Sequence, residues 1–359
     1  MSKANKKKEF AAFAIFDCIR FKVGLSFFSI SLSQKRFDNS YIATPNQLQC
    51  RLKKQLESEL RLSQFPQITE IAFTFITRVD FIKGAEQMRT NLIEAANTEK
   101  DIRSSPLTTS ILYECYPDLK EKDWAYYESK AASFPTFARL NREYLSSKPS
   151  FAQVWPNIRE AIEDAPKPLC IVAHHGVEFD FPILMAELAR CGLTEEKDWL
   201  EDVYFVDSLV AVKQMDKKEG ARVGGLLRGA DKENKACKGD NAALARLLFT
   251  RFPEDHPMRS DPSLLEESWT VAGVRRLFDK AFVQSSTGRW KYEQHLVGKR
   301  CRFKQVDIYR EILSGSYNAH KADDDCAALL QICMAYSDTF LEYADTKAGK
   351  LAIPVKYRK

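Results

Sequence analysis

The chain has 359 residues, of which 45% are hydrophobic and 29% are charged, with a formal net charge of +5. This length suits one large domain or two modest ones, and the composition excludes a disordered or fibrous protein. No apolar run reaches the roughly 18 residues that a membrane-spanning helix needs, and Asp17 interrupts the apolar stretch that could otherwise suggest a signal peptide.

Cysteine usage bears on the compartment. The chain has nine scattered cysteines, and no two of them form a C-x-x-C pair. An odd, dispersed set without zinc-ligand spacing is typical of reduced thiols. We therefore expect a cytoplasmic or nuclear protein without structural disulfides.

Apolar runs of β-branched and aromatic residues predict strands, and helical periodicity predicts helices. In chain order the predicted elements are strands 11–16 and 68–77, helices 120–144 (broken at Pro135) and 151–165, strand 169–173, helix 181–190, strand 204–207, and helices 208–215, 264–282 and 323–336. Strands that come first and then alternate with helices predict an α/β fold, a mixed sheet flanked by helices. Ligands of such folds bind at the strand ends.

Acidic residues stand where several of these elements begin or end. Asp17 follows the first strand, Asp180 precedes a helix, and acids at 323–325 fill the first turn of the last helix. Taken singly, Asp180 suits a helix cap and the acids at 323–325 suit the helix dipole. Taken together with His320, they suggest a carboxylate cage for Mg²⁺ or Mn²⁺ that hydrolyses phosphodiester bonds, with histidine as the base.

Several spaced motifs resemble the DEDDh 3′→5′ exonucleases, in particular the three-prime repair (TREX-like) branch. AHHGVEFDFPIL at 173–184 is similar to the second motif, YFVDS at 204–208 to the strand after it, and AHKADDD at 319–325 to the third motif, H-x-A-x-x-D. ITEIAF at 68–73 is similar to the second strand, and FKQVDIYREIL at 303–313 to the segment before the third motif. The resemblance implies an RNase H-like fold.

The resemblance also implies an activity. It implies a metal-dependent 3′→5′ exonuclease that releases nucleoside 5′-monophosphates from the 3′ end of single-stranded or frayed DNA, with RNA not excluded. It implies two Mg²⁺ ions, for which Mn²⁺ can substitute, and the homodimer typical of this branch. No membrane partner is expected.

Residue roles follow from the same resemblance. The implied metal ligands are carboxylates, Asp17, Glu57, Asp180 and Asp325, and His320 is the implied catalytic base. The implied substrate contacts are Glu57, Ser58, His174 and Phe179. Asp207 and Ser208 are expected to support the site, and His175 stands where the family usually has Asn.

The first motif departs from the family pattern FD-x-E. Ile19 stands at the glutamate position, two residues after Asp17 and so on the same face of a strand. Joining Asp17 directly to Leu56 gives FD-LES, brings Glu57 to the glutamate position and restores the spacing to the second strand. Residues 18–55 therefore look like an insertion, and apart from Asp38 all of its charged residues are basic.

Three interpretations of the insertion stay open. It is a retained intron or a gene-model error, and the functional protein joins Asp17 to Leu56. In the second interpretation the insertion is genuine and forms a loop, and Glu57 returns beside Asp17. In the third, the chain is a pseudo-exonuclease that binds nucleic acid, and the basic insertion adds contacts to phosphate.

The domain organisation follows from the same comparison of motifs. We predict one exonuclease-like domain at 1–345, with insertions at 18–55 and about 216–300, and a C-terminal tail at 346–359. A scaffold that only retains the fold is a further interpretation, because 216–300 is long enough to form a partner surface.

Overall fold

The computed structural model describes residues 8–21, 65–95, 103–131, 139–194, 198–219, 270–273, 282–284, 286, 290–292 and 303–351. Five strands in these ranges form one sheet: β1 (Ala12–Phe21), β2 (Gln67–Thr77), β3 (Thr109–Glu114), β4 (Leu169–Ala173) and β5 (Val203–Asp207). Their order is β3-β2-β1-β4-β5. The pairs β1–β2 and β2–β3 are antiparallel, whereas β1–β4 and β4–β5 are parallel.

Helices flank the sheet. They are α1 (Arg78–Ala95), α2 (Glu121–Ala131), α3 (Arg142–Leu145), α4 (Phe151–Asp164), α5 (Asp180–Arg190), a helix at 208–219, α6 (Gln305–Leu313) and α7 (Ala322–Lys347). Strands β6 (Phe282–Gln284) and β7 (Trp290–Tyr292) form a separate antiparallel pair. The predicted α/β class, a mixed sheet flanked by helices, is confirmed, and the sheet is consistent with an RNase H-like fold.

The central strand β1 is buried on both faces, which explains its nearly continuous apolar run. Phe13, Ile15 and Ile19 belong to the core that includes α1 and α7. Phe16 belongs to the core that includes α4 and α5. Because side chains alternate along a strand, Asp17 lies on the face of β1 that packs against α7.

Five predicted elements are confirmed to within two residues, namely the strands at 68–77, 169–173 and 204–207 and the helices at 151–165 and 181–190, whereas the helix predicted at 208–215 continues to 219. Within the described ranges, α1, α6, β3, β6 and β7 were not predicted. The predicted helix at 120–144 corresponds to α2 and α3, and most of the helix predicted at 264–282 lies outside the described residues. The last helix was predicted to end at 336, and Ser337 does interrupt α7 with φ 46° and ψ −126° before the helix resumes.

The first strand is longer than predicted. Its pairing with β2 continues past Asp17, with Ile19 opposite Glu70 and Phe21 opposite Gln67. The first residues of the predicted insertion therefore extend the sheet, because β2 offers hydrogen-bonding partners along this whole stretch.

The end of α7 is fixed to the sheet. The guanidinium of Arg78 contacts both carboxylate oxygens of Asp345 at 3.0 Å, and Gly349 exchanges two backbone hydrogen bonds with Phe205 of β5. The helices in the described ranges include none that is long and apolar enough to cross a membrane.

Candidate active site

The parallel pairing of β1, β4 and β5 ends at one edge of the sheet. β1 and β4 pair as far as Ile15 and Val172, so Asp17 lies just beyond their paired stretch. β4 and β5 pair as far as Ala173 and Asp207. The second motif begins directly after Ala173, so Asp17, Asp207 and this motif meet where α/β proteins usually bind ligands.

The described aspartates of the predicted cage come from three elements. Asp17 lies on β1, Asp180 begins α5, and Asp325 lies in the first turn of α7. The charges of all three act on the buried thiol of Cys326, whose pKa is raised first by burial and then by Asp17, Asp325 and Asp180. The sulfur of Cys326 lies 3.6 Å from the carbonyl oxygen of Ala72, the β2 residue opposite Asp17.

Asp325 sits in a hydrogen-bonded setting beside the predicted base. Its Oδ2 accepts the backbone N–H of His320 at 2.8 Å, and its carboxylate also interacts with the Tyr317 hydroxyl. Burial raises the pKa of Asp325, and these two hydrogen bonds act in the opposite direction. Burial and the charges of Asp325 and Asp17 raise the pKa of Tyr317, so its phenol stays a proton donor. His320, the predicted base, is exposed to solvent.

Asp180 does not cap its helix, contrary to the ordinary explanation of an aspartate at this place. The N-cap residue of α5 is Phe179, and Asp180 is the first helical residue. The Asp180 side chain is 4% exposed, and its Oδ1 accepts a hydrogen bond from the Cys18 thiol at 3.3 Å. Its Oδ1 therefore contacts β1.

Asp207 supports the site through the backbone, as expected. Its Oδ1 accepts the N–H groups of Leu209 at 2.9 Å and Val210 at 3.4 Å, which caps the helix at 208–219. Its Oδ2 accepts the N–H of Val177 at 3.2 Å. Asp207 thus ties β5 to the loop of the second motif.

His174, a predicted substrate contact, already uses both ring nitrogens within the protein. Nε2 lies 2.8 Å from the carbonyl oxygen of Phe303, and Nδ1 lies 2.9 Å from the Ser208 hydroxyl. A carbonyl only accepts, so Nε2 carries the proton and Nδ1 accepts from Ser208. Burial, together with the charges of His175 and Lys213, lowers the pKa of His174 to about 4 against the opposing effect of the hydrogen bond to Phe303. His174 is therefore a neutral link between β4, β5 and the segment before α6.

This link predicts a pH dependence of stability. The pKa of His174 is 6.5 without perturbation and about 4 in the folded protein. Between these values the unfolded chain binds more protons, so the free energy of unfolding should rise with pH, by up to about 3 kcal/mol. Urea unfolding across this window should show a shallower rise for His174→Gln than for the wild type. Equal slopes would contradict the assignment.

His175 and Phe179 form an aromatic pair beside Asp180. Their rings meet edge to face with centroids 4.7 Å apart, and Phe179 is only partly buried. His175 has a φ of 62°, a left-handed conformation that Asn and Gly adopt most readily, which gives a physical reason for the family's Asn at this position. The predicted contact between Phe179 and substrate stays a prediction.

Gly176 makes the tight turn before α5 possible. A Cβ at this position would lie 2.8 Å from the Cβ of Ala173 and from the ring of Phe181. Gly176→Ala is expected to lower the free energy of unfolding by about 1–3 kcal/mol through overpacking. The matched control is Gly349→Ala, where a Cβ meets no atom within 4 Å. Urea unfolding of both variants tests this, and equal stabilities would contradict it.

The first motif is incomplete on β1. Ile19 occupies the position two residues after Asp17, is 7% exposed and belongs to the core around α7. Glu57 and Ser58 lie outside the described residues. Within the described ranges, no three or more His, Cys, Asp or Glu side chains are grouped closely enough to hold a metal ion. The four-carboxylate cage, which includes Glu57, stays a prediction.

The length of the chain between Glu57 and β2 decides whether Glu57 can return to Asp17. Phe65 is held to α5, because its carbonyl accepts a hydrogen bond from Arg190 at 3.1 Å. From Phe65 to Ala72, opposite Asp17, the chain covers about 23 Å. From Glu57 to Phe65 it covers at most about 29 Å. The available length exceeds the distance to be covered, so the chain length permits Glu57 to reach Asp17 if the insertion is genuine.

Two residues near the site were missed in the sequence. Tyr317, next to Asp325, stands three positions before His320, and nothing in its local pattern distinguishes it from a loop tyrosine. Glu70 is a charged residue inside the apolar strand ITEIAF, and it is fully buried. A charge in a buried strand is rare unless it is paired, so Glu70 had a detectable signal.

No family model matches the chain. Parts of it are similar to curated three-prime repair exonucleases. Three-prime repair exonuclease 1 of Bos taurus is 44% identical over 59 residues, 16% of this chain and 18% of the relative, and that of Homo sapiens is 46% identical over 52 residues, 14% and 16%. Three prime repair exonuclease 2 of Homo sapiens is 38% identical over 101 residues, 24% of this chain and 41% of the relative.

The partial matches support a relationship to these exonucleases. Each match spans less than half of the relative's length. The relationship therefore concerns segments of the chain, and activity is a matter for experiment.

Proposed function

We propose that this protein is a metal-dependent 3′→5′ exonuclease that hydrolyses phosphodiester bonds at the 3′ end of single-stranded or frayed DNA and releases nucleoside 5′-monophosphates. The observation that carries the proposal is a set of contacts between the elements that bear the three aspartates. Asp180 accepts a hydrogen bond from Cys18, the neighbour of Asp17, and Cys326, the neighbour of Asp325, contacts Ala72 opposite Asp17. The backbone N–H of His320 binds Asp325. The partial similarity to three-prime repair exonucleases supports it.

The donor set fits a hard divalent cation. Carboxylate oxygens are the ligands that Mg²⁺ and Mn²⁺ prefer. Burial of a carboxylate is unfavourable without a compensating positive charge, and burial raises the pKa of Asp325. We propose that Asp17, Asp180, Asp325 and Glu57 hold two Mg²⁺ ions, which Mn²⁺ can replace. Bound metal would supply positive charge to stabilise the scissile phosphate.

The protein's own groups have separate roles in this proposal. His320 is exposed beside Asp325 and accepts the proton of the attacking water. Asp325 in turn is held by the N–H of His320 and by the Tyr317 hydroxyl. Glu57 and Ser58 hold the terminal nucleotide, and the exposed part of Phe179 faces the substrate.

A labelled oligonucleotide tests the proposal. With Mg²⁺ and a 3′ label, we expect labelled mononucleotide as the first product, and with a 5′ label a ladder of shortening strands. Chelation of the metal and the double variant Asp180→Ala, Asp325→Ala should each abolish release. Release that survives the double variant would reject this catalytic assignment.

Ile19 favours a second candidate, a catalytically impaired protein that binds nucleic acid. An isoleucine in the core at the glutamate position leaves the described part of the first motif with one acid. Such a protein would bind the oligonucleotide, with affinity that falls steeply as salt rises, but release no mononucleotide. Binding and release measured on the same sample separate the two candidates.

A further inference from the structure

Glu70 is a charged side chain that the proposed mechanism does not use. It is 0% exposed, although it lies in the middle of the sheet on β2. Ile19 of β1 stands opposite Glu70 on one side, and Glu114 of β3 stands opposite it on the other. A buried carboxylate is costly unless its oxygens are paired, so the partners of Glu70 indicate what it does.

One oxygen of Glu70 binds the start of the helix that carries the third motif. Oε1 accepts the backbone N–H of Ala322, the first residue of α7, at 2.6 Å. The N-cap residue of this helix, Lys321, makes no side-chain capping hydrogen bond. Glu70 therefore satisfies a helix N–H from a neighbouring strand, and its negative charge suits the positive end of the helix dipole.

The other oxygen of Glu70 is paired with a cation. Nη1 of Arg139 lies 2.5 Å from Oε2 of Glu70 and 3.5 Å from Oε1 of Glu114. Both carboxylate oxygens of Glu70 are thus engaged, and Glu70 does not replace the acid missing at Ile19. Instead, the pair with Arg139 compensates the buried charge of Glu70, and the contact with Ala322 depends on the length of the side chain and its acceptor oxygen.

We propose that Glu70 is a positioning residue, whose hydrogen bond to the Ala322 amide sets the first turn of α7 and thereby the placement of Asp325 and His320 relative to Asp17. The inference rests on the proposed exonuclease function for its catalytic consequence. The contact itself does not depend on that function, because it is a property of the folded chain. The two parts can therefore be tested apart.

The variants Glu70→Gln and Glu70→Asp distinguish the effect of side-chain length from the effect of charge. Glutamine keeps the length of the side chain and an oxygen that accepts the Ala322 N–H, but it loses the charge. Aspartate keeps the charge but is one methylene too short to reach. We expect Glu70→Asp to lower kcat by about 10-fold or more with little change in KM, as for groups that orient metal ligands, and Glu70→Gln to retain most of kcat. An Asp variant as active as the Gln variant would overturn the proposal.

The matched control is Glu114→Asp. Glu114 lies opposite Glu70 and shares Arg139, but its hydrogen bonds and ion pairs go to Arg139, Lys148 and Tyr144 rather than to α7. The kcat of Glu114→Asp should stay within about twofold of the wild type, since the hydrogen bonds and ion pairs of Glu114 are not made with the helix that carries the proposed metal ligand Asp325. An equal loss in this control would overturn the assignment to Glu70.

Amide hydrogen exchange provides a readout that needs no activity. Exchange at Ala322 should accelerate at least tenfold in Glu70→Asp and stay near the wild-type rate in Glu70→Gln and Glu114→Asp. If the wild type releases no nucleotide but this pattern holds, the proposed function fails and the positioning contact stands. If the wild type is active but Ala322 exchanges equally in all variants, the positioning role fails alone.

Discussion

Replacing Asp325 with asparagine is expected to lower the rate of nucleotide release by about 10³-fold. Asparagine keeps the size of the side chain and its acceptor for the His320 N–H, but it removes the charge that holds a cation. Charge stabilisation by a bound metal is worth several kcal/mol, and each 1.36 kcal/mol is tenfold in rate. Single-turnover release of labelled mononucleotide in saturating Mg²⁺ measures this effect.

Asp324→Asn is the control for this variant, because it removes an acid from the same turn of α7. The Asp324 carboxylate lies 3.9 Å from the ammonium of Lys321, an exposed pair of the kind that is worth about 0–1 kcal/mol. Its rate should stay within about threefold of the wild type, in line with so small an interaction. Comparable losses in the two variants would mean that the charge of the turn matters rather than Asp325 itself.

Deleting residues 18–55 is expected to raise the rate of release by about 10²-fold, for the same energetic reason. The deletion joins Asp17 to Leu56 and brings Glu57 to the β1 position that Ile19 now fills. Side chains two apart share a face of a strand, so Glu57 would lie beside Asp17. Glu70, opposite this position, is already paired with Arg139, which limits repulsion.

The same deletion combined with Glu57→Gln shows whether the Glu57 carboxylate causes the gain in activity. It shares the shortened loop and the loss of the basic insertion, so any gain that comes from those changes appears in both proteins. The first interpretation requires that only the Glu57 version gains activity. If the full-length chain is as active as the deletion, Glu57 returns to Asp17 through a genuine insertion, and the pseudo-exonuclease interpretation is rejected.

The strands near the candidate site could be predicted from the sequence because a buried strand appears in it as a local run of apolar residues. LCIVA and ITEIAF became β4 and part of β2 at the expected places. α1 and β3 were missed because the periodicity of apolar and polar residues in their sequences is weak. Each of them is stabilised by its packing against other elements. β1 was predicted too short, since Cys18–Phe21 join the strand through pairing with β2.

The roles of individual side chains were harder to predict than their positions. Asp17, Asp180 and Asp325 were singled out from their places beside predicted element ends, and their role as metal ligands stays a prediction. The predicted contact of His174 with substrate stays a prediction, and the structure adds that both its ring nitrogens bind protein groups 34 and 129 residues away. A hydrogen bond over such a separation leaves no local pattern, so spacing within a motif does not reveal it.

The sequence by itself determined the α/β class, the strands that end at the site and the acids that stand there, because these depend on the order of apolar and polar residues along the chain. Only the tertiary structure decided which partners those residues have. It placed Ile19 in the core at the glutamate position, gave His174 to Ser208 and Phe303, and joined Glu70 to Ala322 across 252 residues. Such contacts arise when distant segments pack together, and the physical reason for each lies in the burial of a group that must then be paired.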